Sequence, residues 1–388
     1  MSERIVSLFS GIGGLDIGFH ERGQTPLLFC ENDHAAQAVL GSRFPDVPVS
    51  DDVSTLKKLP SCDLLLAGFP CQDLSQAGKK VGIGGNSSGL VAHLFRLIST
   101  ARPKPKWIVV ENVPYMLSLG SGEAMRYLVS ELENLGYMWA YRVVDARSFG
   151  TPQRRPRVLL VASRTDDPRQ VLFRGDKDPG NIDGKPSDID EKHWYGFYWT
   201  EGRWGIGWAK EGVPPIKGGS TIGIPSPPAI WIPKKNFVGK ITLNDAERMQ
   251  GFEPGWTVGV EQTAGLKKNA RWRLIGNAVN TGMSRWLVDG FERPIAYDGV
   301  SSLLDDKNRW PKAAWGRKGK AYEVKLSQWP EARRRSRLAT FLKDPLEPLS
   351  VRATSGFLKR AHLCTNVVYS KRFLESLQVH LEAAVRKE

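Results

Sequence analysis

The stretch Ala67-Gly-Phe-Pro-Cys-Gln-Asp-Leu-Ser75 sets a cysteine directly after a proline, just past the apolar run Leu64-Leu-Leu-Ala67. Four consecutive apolar residues bounded by glycine and proline read as a short buried strand. Proline fixes its own φ and cannot extend a ladder, so the strand stops there and presents Cys71 at its carboxyl edge. In open α/β sheets that edge is where ligands bind. A thiol placed there can act as a nucleophile once ionised. Taken alone, a single cysteine is as readily a small buried core residue. The segments on either side decide between the two.

Upstream, Ile5 to Leu8 is an apolar strand running into Phe9-Ser-Gly-Ile-Gly-Gly14, then a helical stretch, Leu15 to Glu21. A second strand, Pro26 to Cys30, ends in Glu31-Asn-Asp33. Strand, glycine turn, helix, strand and terminal acid make a nucleotide-type cofactor site: the glycines let the backbone approach the ligand, and the acid can hold ribose hydroxyls. Asp16 stands where a dinucleotide fingerprint wants its third glycine. That departure disfavours NAD and leaves S-adenosylmethionine as the better candidate.

Downstream, Trp107-Ile-Val-Val-Glu111-Asn112-Val113-Pro114 puts a carboxylate and an amide at the end of another buried strand. A shielded glutamate has a raised pKa and can share a proton near neutrality, although Glu111 can equally cap the next helix. Gln153-Arg-Arg155-Pro-Arg157 precedes the strand Val158 to Ala162. In a regular strand Arg155 and Arg157 would share one face and could hold a carbonyl, phosphate or carboxylate; a solvated basic turn is the plainer alternative. Helical spacing recurs at Leu90, Val91, Leu94, Phe95 and Ile98, and again from about Ala124 to Leu135. Alternating strands and helices predict an α/β, Rossmann-like, mostly parallel sheet covered on both sides.

Composition is that of an ordinary globular chain, 41% hydrophobic and 25% charged over 388 residues. No apolar run approaches a membrane span, and Met1-Ser-Glu-Arg leads into a strand rather than a signal-peptide core, so no membrane association is expected. Four cysteines without paired spacing and six scattered histidines argue against disulfides or a metal site, and a reducing cytoplasm fits. The net charge of +14 points to a polyanionic partner, most simply nucleic acid.

Together these segments resemble the cytosine-C5 DNA methyltransferases of the bacterial restriction-modification type. In family order the chain carries Phe9-Ser-Gly-Ile-Gly-Gly14, Glu31-Asn-Asp33, Asp51-Asp-Val53, Gly68-Phe-Pro-Cys-Gln72, Glu111-Asn-Val113, Gln153-Arg-Arg-Pro-Arg157, Arg248-Met-Gln-Gly-Phe252 and Gly276-Asn-Ala-Val279. The resemblance implies that Cys71, as thiolate, adds to C6 of a cytosine flipped out of duplex DNA. It gives Glu111 the ring N3 and exocyclic amine, Arg157 the carbonyl, and Arg155 the orientation of neighbouring groups. For the cofactor, S-adenosylmethionine with no metal, it implies Phe9, Gly11, Gly13, Glu31, Asp52 and Pro70, with Asn277 and Ala278 closing the site. Gln72, Ser75 and the pair Thr221-Ile222 would meet DNA. Gly78 to Gly89 looks like a loop that closes over the base, with a plain surface connection as the simpler alternative. The implied partner is double-stranded DNA, with a cognate restriction endonuclease as functional companion; a monomer in a prokaryotic cytoplasm is expected. The rivals are an RNA cytosine methyltransferase of the same fold and a catalytically silent DNA-binding regulator.

The expected organisation is a catalytic domain over 1–163, a target recognition domain over 164–240, a return to the catalytic domain over 241–291, and a basic C-terminal extension over 292–388. The second segment is rich in Gly, Pro and Trp (Trp194, Trp199, Trp204, Trp208, Trp231) with interleaved basic residues, which favours short strands and turns; most of these tryptophans should be core. The extension holds twenty basic against eleven acidic residues, or +9 of the total charge. Its amphipathic stretch Lys371 to Lys387 and its aromatics Trp310, Trp315, Tyr322 and Trp329 predict a separately packed, largely helical module, with Arg333 to Arg337 on DNA phosphates; a solubilising or partner-docking appendage is the plainer alternative.

Overall fold

The computed structural model describes residues 4–70, 89–180, 182, 189–201, 205–218, 225–267, 269–305, 309–365 and 367–386. Two compact units form. One comprises residues 1–148, 156–178 and 279–332; the other 149–155, 179–278 and 333–388.

The first unit is built on a ten-stranded mixed sheet. Along the chain its strands are β1 Ile5–Leu8, β2 Leu28–Cys30, β3 Val49–Ser50, β4 Leu64–Ala67, β5 Trp107–Asn112, β6 Met138–Asp145 and β7 Pro156–Ser163. From the C-terminal extension come β12 Ser301–Leu303, β13 Ala313–Arg317 and β14 Lys320–Val324. The order is β12-β14-β13-β6-β7-β5-β4-β1-β2-β3. Strands β3, β2, β1, β4 and β5 are parallel, whereas β5–β7, β6–β7 and the three added strands pair antiparallel. The sheet is therefore mixed rather than mostly parallel. The chain returns from β6 to β7 through only the ten residues 146–155, too few for the crossover that a parallel neighbour demands.

Every residue of β1, β4 and β5 is buried, which explains why these strands read as unbroken apolar runs. One face of the sheet packs Val6, Leu8, Leu65 and Ala67 against Val91, Leu94, Ile98, Met125, Leu128 and Leu132 of two amphipathic helices, Leu90–Thr100 and Glu123–Asn134. The helix Thr281–Glu292 packs on the short helix Ile17–His20 that follows β1, rather than on β1 itself, and buries Met283, Trp286 and Leu287. The approach is close: a Cβ on Gly18 would stand 2.6 Å from Ser284 Oγ, whose hydroxyl accepts the Gly18 amide at 3.0 Å.

The second unit carries a smaller antiparallel sheet of β8 Tyr195–Phe197, β9 Ala209–Lys210, β10 Ala229–Ile232, β11 Phe237–Lys240 and β15 Glu347–Pro348, ordered β15-β11-β10-β8-β9. Short strands were expected here, and Trp208 and Trp231 are buried as core residues. Their cover comes from far along the chain. The helices Val351–His362 and Lys371–Val385 set Phe357, Phe373 and Leu377 against Tyr195, Phe197, Trp208 and Trp231, with the Phe373 ring centroid 5.0 Å from Trp231 and 5.1 Å from Phe197.

This changes the reading of the C-terminal extension. It is not one separate helical module. Residues 301–303, 313–317 and 320–324 form strands of the large sheet, Trp310 packs against Trp139 and Tyr141, and Trp315 stacks on Tyr322. Its two long helices complete the core of the small sheet instead. The aromatics that suggested a private core are shared with earlier strands, because a half-buried sheet supplies a larger apolar partner than the extension alone.

Candidate active site

In the first unit β2 and β3 lie to one side of β1, and β4 and β5 to the other. Connections on either side of such a point leave in opposite directions and open a crevice outside the carboxyl ends of the strands. The segments after β1, β2, β4 and β5 all emerge at that edge, and they hold most of the site residues singled out above.

After β1 the backbone turns at Phe9, whose φ of +56° is uncommon for an aromatic residue and marks local strain. Gly11 and Gly13 follow at φ +56° and +79°. A Cβ at Gly13 would come within 2.6 Å of the Phe44 ring, whereas one at Gly11 would meet nothing within 4 Å. Gly13 is thus demanded by packing, and Gly11 leaves a stretch of loop backbone uncovered. Glu31, just past β2, ties the two loops together: Oε2 accepts the Gly11 amide at 2.8 Å and Oε1 the Asp33 amide at 2.9 Å. Burial pushes the Glu31 carboxyl up, while the Asp33 and Gly11 amides draw it back. Asp52, after β3, accepts the Ser54 hydroxyl at 2.7 Å and the Ser54 amide at 2.8 Å, which hold its carboxyl below the usual range.

After β4, the Gly68-Phe-Pro70 segment is held from both neighbours. The Phe69 ring sits edge-on to Phe9, with centroids 6.1 Å apart. Its carbonyl accepts the Asn112 side-chain amide at 2.9 Å. A Cβ at Gly68 would stand at ordinary contact distance, 3.6 Å from the Phe9 carbonyl and 3.8 Å from Glu111 Oε2, which puts this segment directly beside both. Pro70 is exposed at its end. Cys71, Gln72 and Ser75 lie outside the described residues, as do most of the glycine loop to Gly89 and the pair Thr221-Ile222.

Glu111 is the penultimate residue of β5, and Arg157 the second of β7. The antiparallel register sets Glu111 opposite Leu159 and Asn112 opposite Val158. Arg157 Nε then reaches Glu111 Oε1 at 2.9 Å, with each side chain 11% exposed. A shielded carboxylate with a guanidinium on one oxygen is a polar fork at the strand end, able to meet a donor and a carbonyl side by side.

Arg155 does not share the face of Arg157. The strand begins at Pro156, and Arg155 falls in the second unit. There it is 1% exposed and donates to the carbonyls of Gly276 at 2.9 Å and Ala278 at 2.7 Å. It therefore positions the segment that carries Asn277, itself exposed, and Ala278, which is buried. Gln153 does similar work: its amide donates to the Met249 carbonyl at 3.0 Å and accepts the Ile216 amide at 3.1 Å. Sequence reasoning passed over Gln153 and Asn112 as anchors. Their signal was a polar residue buried inside each motif, and only the tertiary partners, 43 to 96 residues away, give it meaning.

Parallel strands reversing at β1, closed by an antiparallel β6–β7 pair and bearing an acid–arginine pair at the strand ends, define an α/β fold of the methyltransferase type. Among solved structures, the S. pombe Dnmt2 methyltransferase aligns over 74% of this chain and 97% of its own, with a TM-score of 0.53 at 15% identity. At that identity the likeness is one of fold. Residues 3–198 match the C-5 cytosine-specific DNA methylase family. The type II methyltransferase M2.BsuMI of Bacillus subtilis (strain 168) is 52% identical over 380 residues, 97% of either chain. The type II methyltransferase M.NgoFVII of Neisseria gonorrhoeae is 36% identical over 167 residues, 42% of this chain and 44% of that one. The chain belongs to the C-5 cytosine-specific DNA methylase family. It is a DNA cytosine-5-methyltransferase of the type II restriction-modification kind, and DNA is its substrate. No helix among the described residues is long and apolar enough to cross a membrane.

Proposed function

We propose that this enzyme methylates C5 of a cytosine flipped out of duplex DNA, within a sequence set by the second unit, by covalent catalysis from Cys71. The observation that carries this reading is the Glu111–Arg157 pair at the end of β5, beside the Gly68-Phe-Pro70 segment that leads directly to Cys71. Cytosine C5 is a weak nucleophile until something adds at C6. The Cys71 thiolate adds there, breaking the C5–C6 π bond. Glu111 shares a proton with N3 and accepts from the exocyclic amine as charge moves into the ring. Arg157 donates to the cytosine carbonyl. S-adenosylmethionine supplies the methyl group as a sulfonium. Once C5 carries the methyl, loss of its proton expels the thiolate and restores the ring. The target carbon is unreachable inside a helix, so the base must be extruded.

The loop after β1 suits such a cofactor. The uncovered backbone around Gly11 and the amide-anchored Glu31 match the needs of a nucleoside with ribose hydroxyls. Phe9, Gly13, Asp52, Pro70, Asn277 and Ala278 would complete its surroundings, and Arg155 would hold the 276–278 backbone in place. Protection of host DNA from a cognate endonuclease is the physiological role this proposal entails.

Incubation of the protein with S-adenosylmethionine and a duplex containing 5-fluorocytosine tests the reading. Fluorine at C5 cannot leave as a proton does, so a protein–DNA adduct stable to denaturant should accumulate. Bisulfite sequencing of ordinary DNA from cells expressing the protein should reveal one methylated sequence. Methylation without any trapped adduct would remove the covalent route.

A further inference from the structure

Asp16 lies three residues beyond Gly13, at the inner end of the glycine loop, and is 0% exposed. Among the described residues, neither of its carboxyl oxygens has a hydrogen-bond partner. The Ser7 hydroxyl on β1 comes near without completing a bond of good geometry. The backbone around it is fully committed. Its amide donates to Gly13 at 3.1 Å, and its carbonyl accepts the Phe19 and His20 amides, each at 3.0 Å. The helix packed above is committed too, with Ser284 accepting the Gly18 amide and donating to the Leu15 carbonyl. The side chain does not cap the helix it precedes. Among the described residues its ionisation is governed first by burial and then by Ser7 and its own amide.

A buried carboxylate with no counter-charge is costly, so such an acid keeps its proton until a positive charge approaches. Burial raises it from the ordinary 3.8 to about 7, even with Ser7 and its own amide drawing it back, and that is within reach of a modest field. The loop that Asp16 closes is the one that the proposed function gives to the methyl donor. That donor is a sulfonium cation before transfer, and its product, S-adenosylhomocysteine, is a neutral thioether.

We propose that Asp16 is a charge-discriminating residue of the cofactor loop, whose ionised carboxylate favours the cationic donor over the neutral product. It acts through the field from the buried inner end of the loop and need not touch either molecule. Product release is thereby eased at the moment the sulfonium charge disappears. The proposal rests on the assignment of S-adenosylmethionine to this loop.

Calorimetric binding of both molecules to the full-length protein, at about pH 6 and about pH 8, tests it without reference to turnover. At the higher pH the wild-type preference for S-adenosylmethionine should exceed that of Asp16→Asn by at least about fivefold, the scale expected for unit charges interacting through a protein interior. At the lower pH the difference between the two proteins should shrink, because the donor's advantage is then offset by the cost of removing the proton that the free protein holds. Identical preferences in the two proteins at both pH values would overturn the role of Asp16. Should the variant fail to fold, wild type alone decides. At about pH 7, S-adenosylmethionine should drive release of more protons than S-adenosylhomocysteine, and equal release sinks the idea. Binding of neither molecule would instead bring down the cofactor assignment, and this proposal with it.

Discussion

Arg157 Nε lies 2.9 Å from Glu111 Oε1, across the junction where β5 and β7 run antiparallel. Forty-six positions separate the two residues in the chain, yet together they form the polar wall of the candidate site. Removing one partner of such a shielded pair leaves the other charge uncompensated. Glu111→Gln should keep the fold and lower kcat by at least about a hundredfold, the usual weight of a positioned proton-sharing group. Arg157→Lys should not rescue function, because an ammonium cannot reproduce the planar fork. Steady-state methyl transfer with tritiated donor checks both, and a Glu111→Gln enzyme with near-normal kcat would remove the residue from the chemistry.

Cys71→Ser should abolish methyl transfer and adduct formation on 5-fluorocytosine duplexes while leaving DNA and cofactor binding largely intact. A serine hydroxyl is far less ionised than a thiol near neutral pH. Gel-shift and isothermal binding measurements separate loss of chemistry from loss of folding. Appreciable turnover by a clean preparation would reassign the nucleophile.

Glu31→Ala removes the acceptor of both the Gly11 and Asp33 amides. The cofactor KM should rise about tenfold or more while kcat changes little, as expected when binding is lost equally in ground and transition states. An unchanged KM would place the cofactor elsewhere.

Stability should respond to pH through Asp16. Its folded-state pKa, about 7, is raised above the ordinary 3.8. Below the lower value both states hold the proton, and the shift has no effect on stability. As pH rises from there to about 7 the unfolded chain gives up its proton while the folded one keeps it, so stability falls. The loss is complete once the folded state ionises, and amounts to roughly 4 kcal/mol at most. Asp16→Asn cannot titrate, so its Tm relative to wild type should climb between about pH 4 and pH 7 and then level off. A constant difference in Tm across that range would show that burial of this carboxyl does not shift it.

The extension should prove indispensable to folding. Removing residues 298–388 would strip three strands from the large sheet and uncover Tyr195, Phe197, Trp208 and Trp231 on the small one. Truncation should yield insoluble or unfolded protein, rather than an active enzyme with weakened DNA binding. Phe373→Ala alone should cost about 3–5 kcal/mol. Circular dichroism and thermal unfolding decide the matter, and a soluble, cooperatively folding truncation would mean that the sheets close without these elements.

The strand ends, and the motifs they carry, were readable from the order of residues alone. Leu64–Ala67 and Ile5–Leu8 were legible because strands buried on both faces leave an uninterrupted apolar signature, ended by glycine or proline. The motifs sit immediately after those ends, so their order along the chain already implied one shared edge. Pairing was not legible. Periodicity says which face of an element is apolar, but not what covers it, so Trp310 and Phe373 looked like the core of a private module when each completes a sheet begun more than a hundred residues earlier. Arg155 and Arg157 looked equivalent in sequence. Tertiary structure alone sends one to the carbonyls of Gly276 and Ala278 and the other to Glu111, because the strand starts between them and long-range partners, not spacing, decide where a guanidinium finds its acceptors.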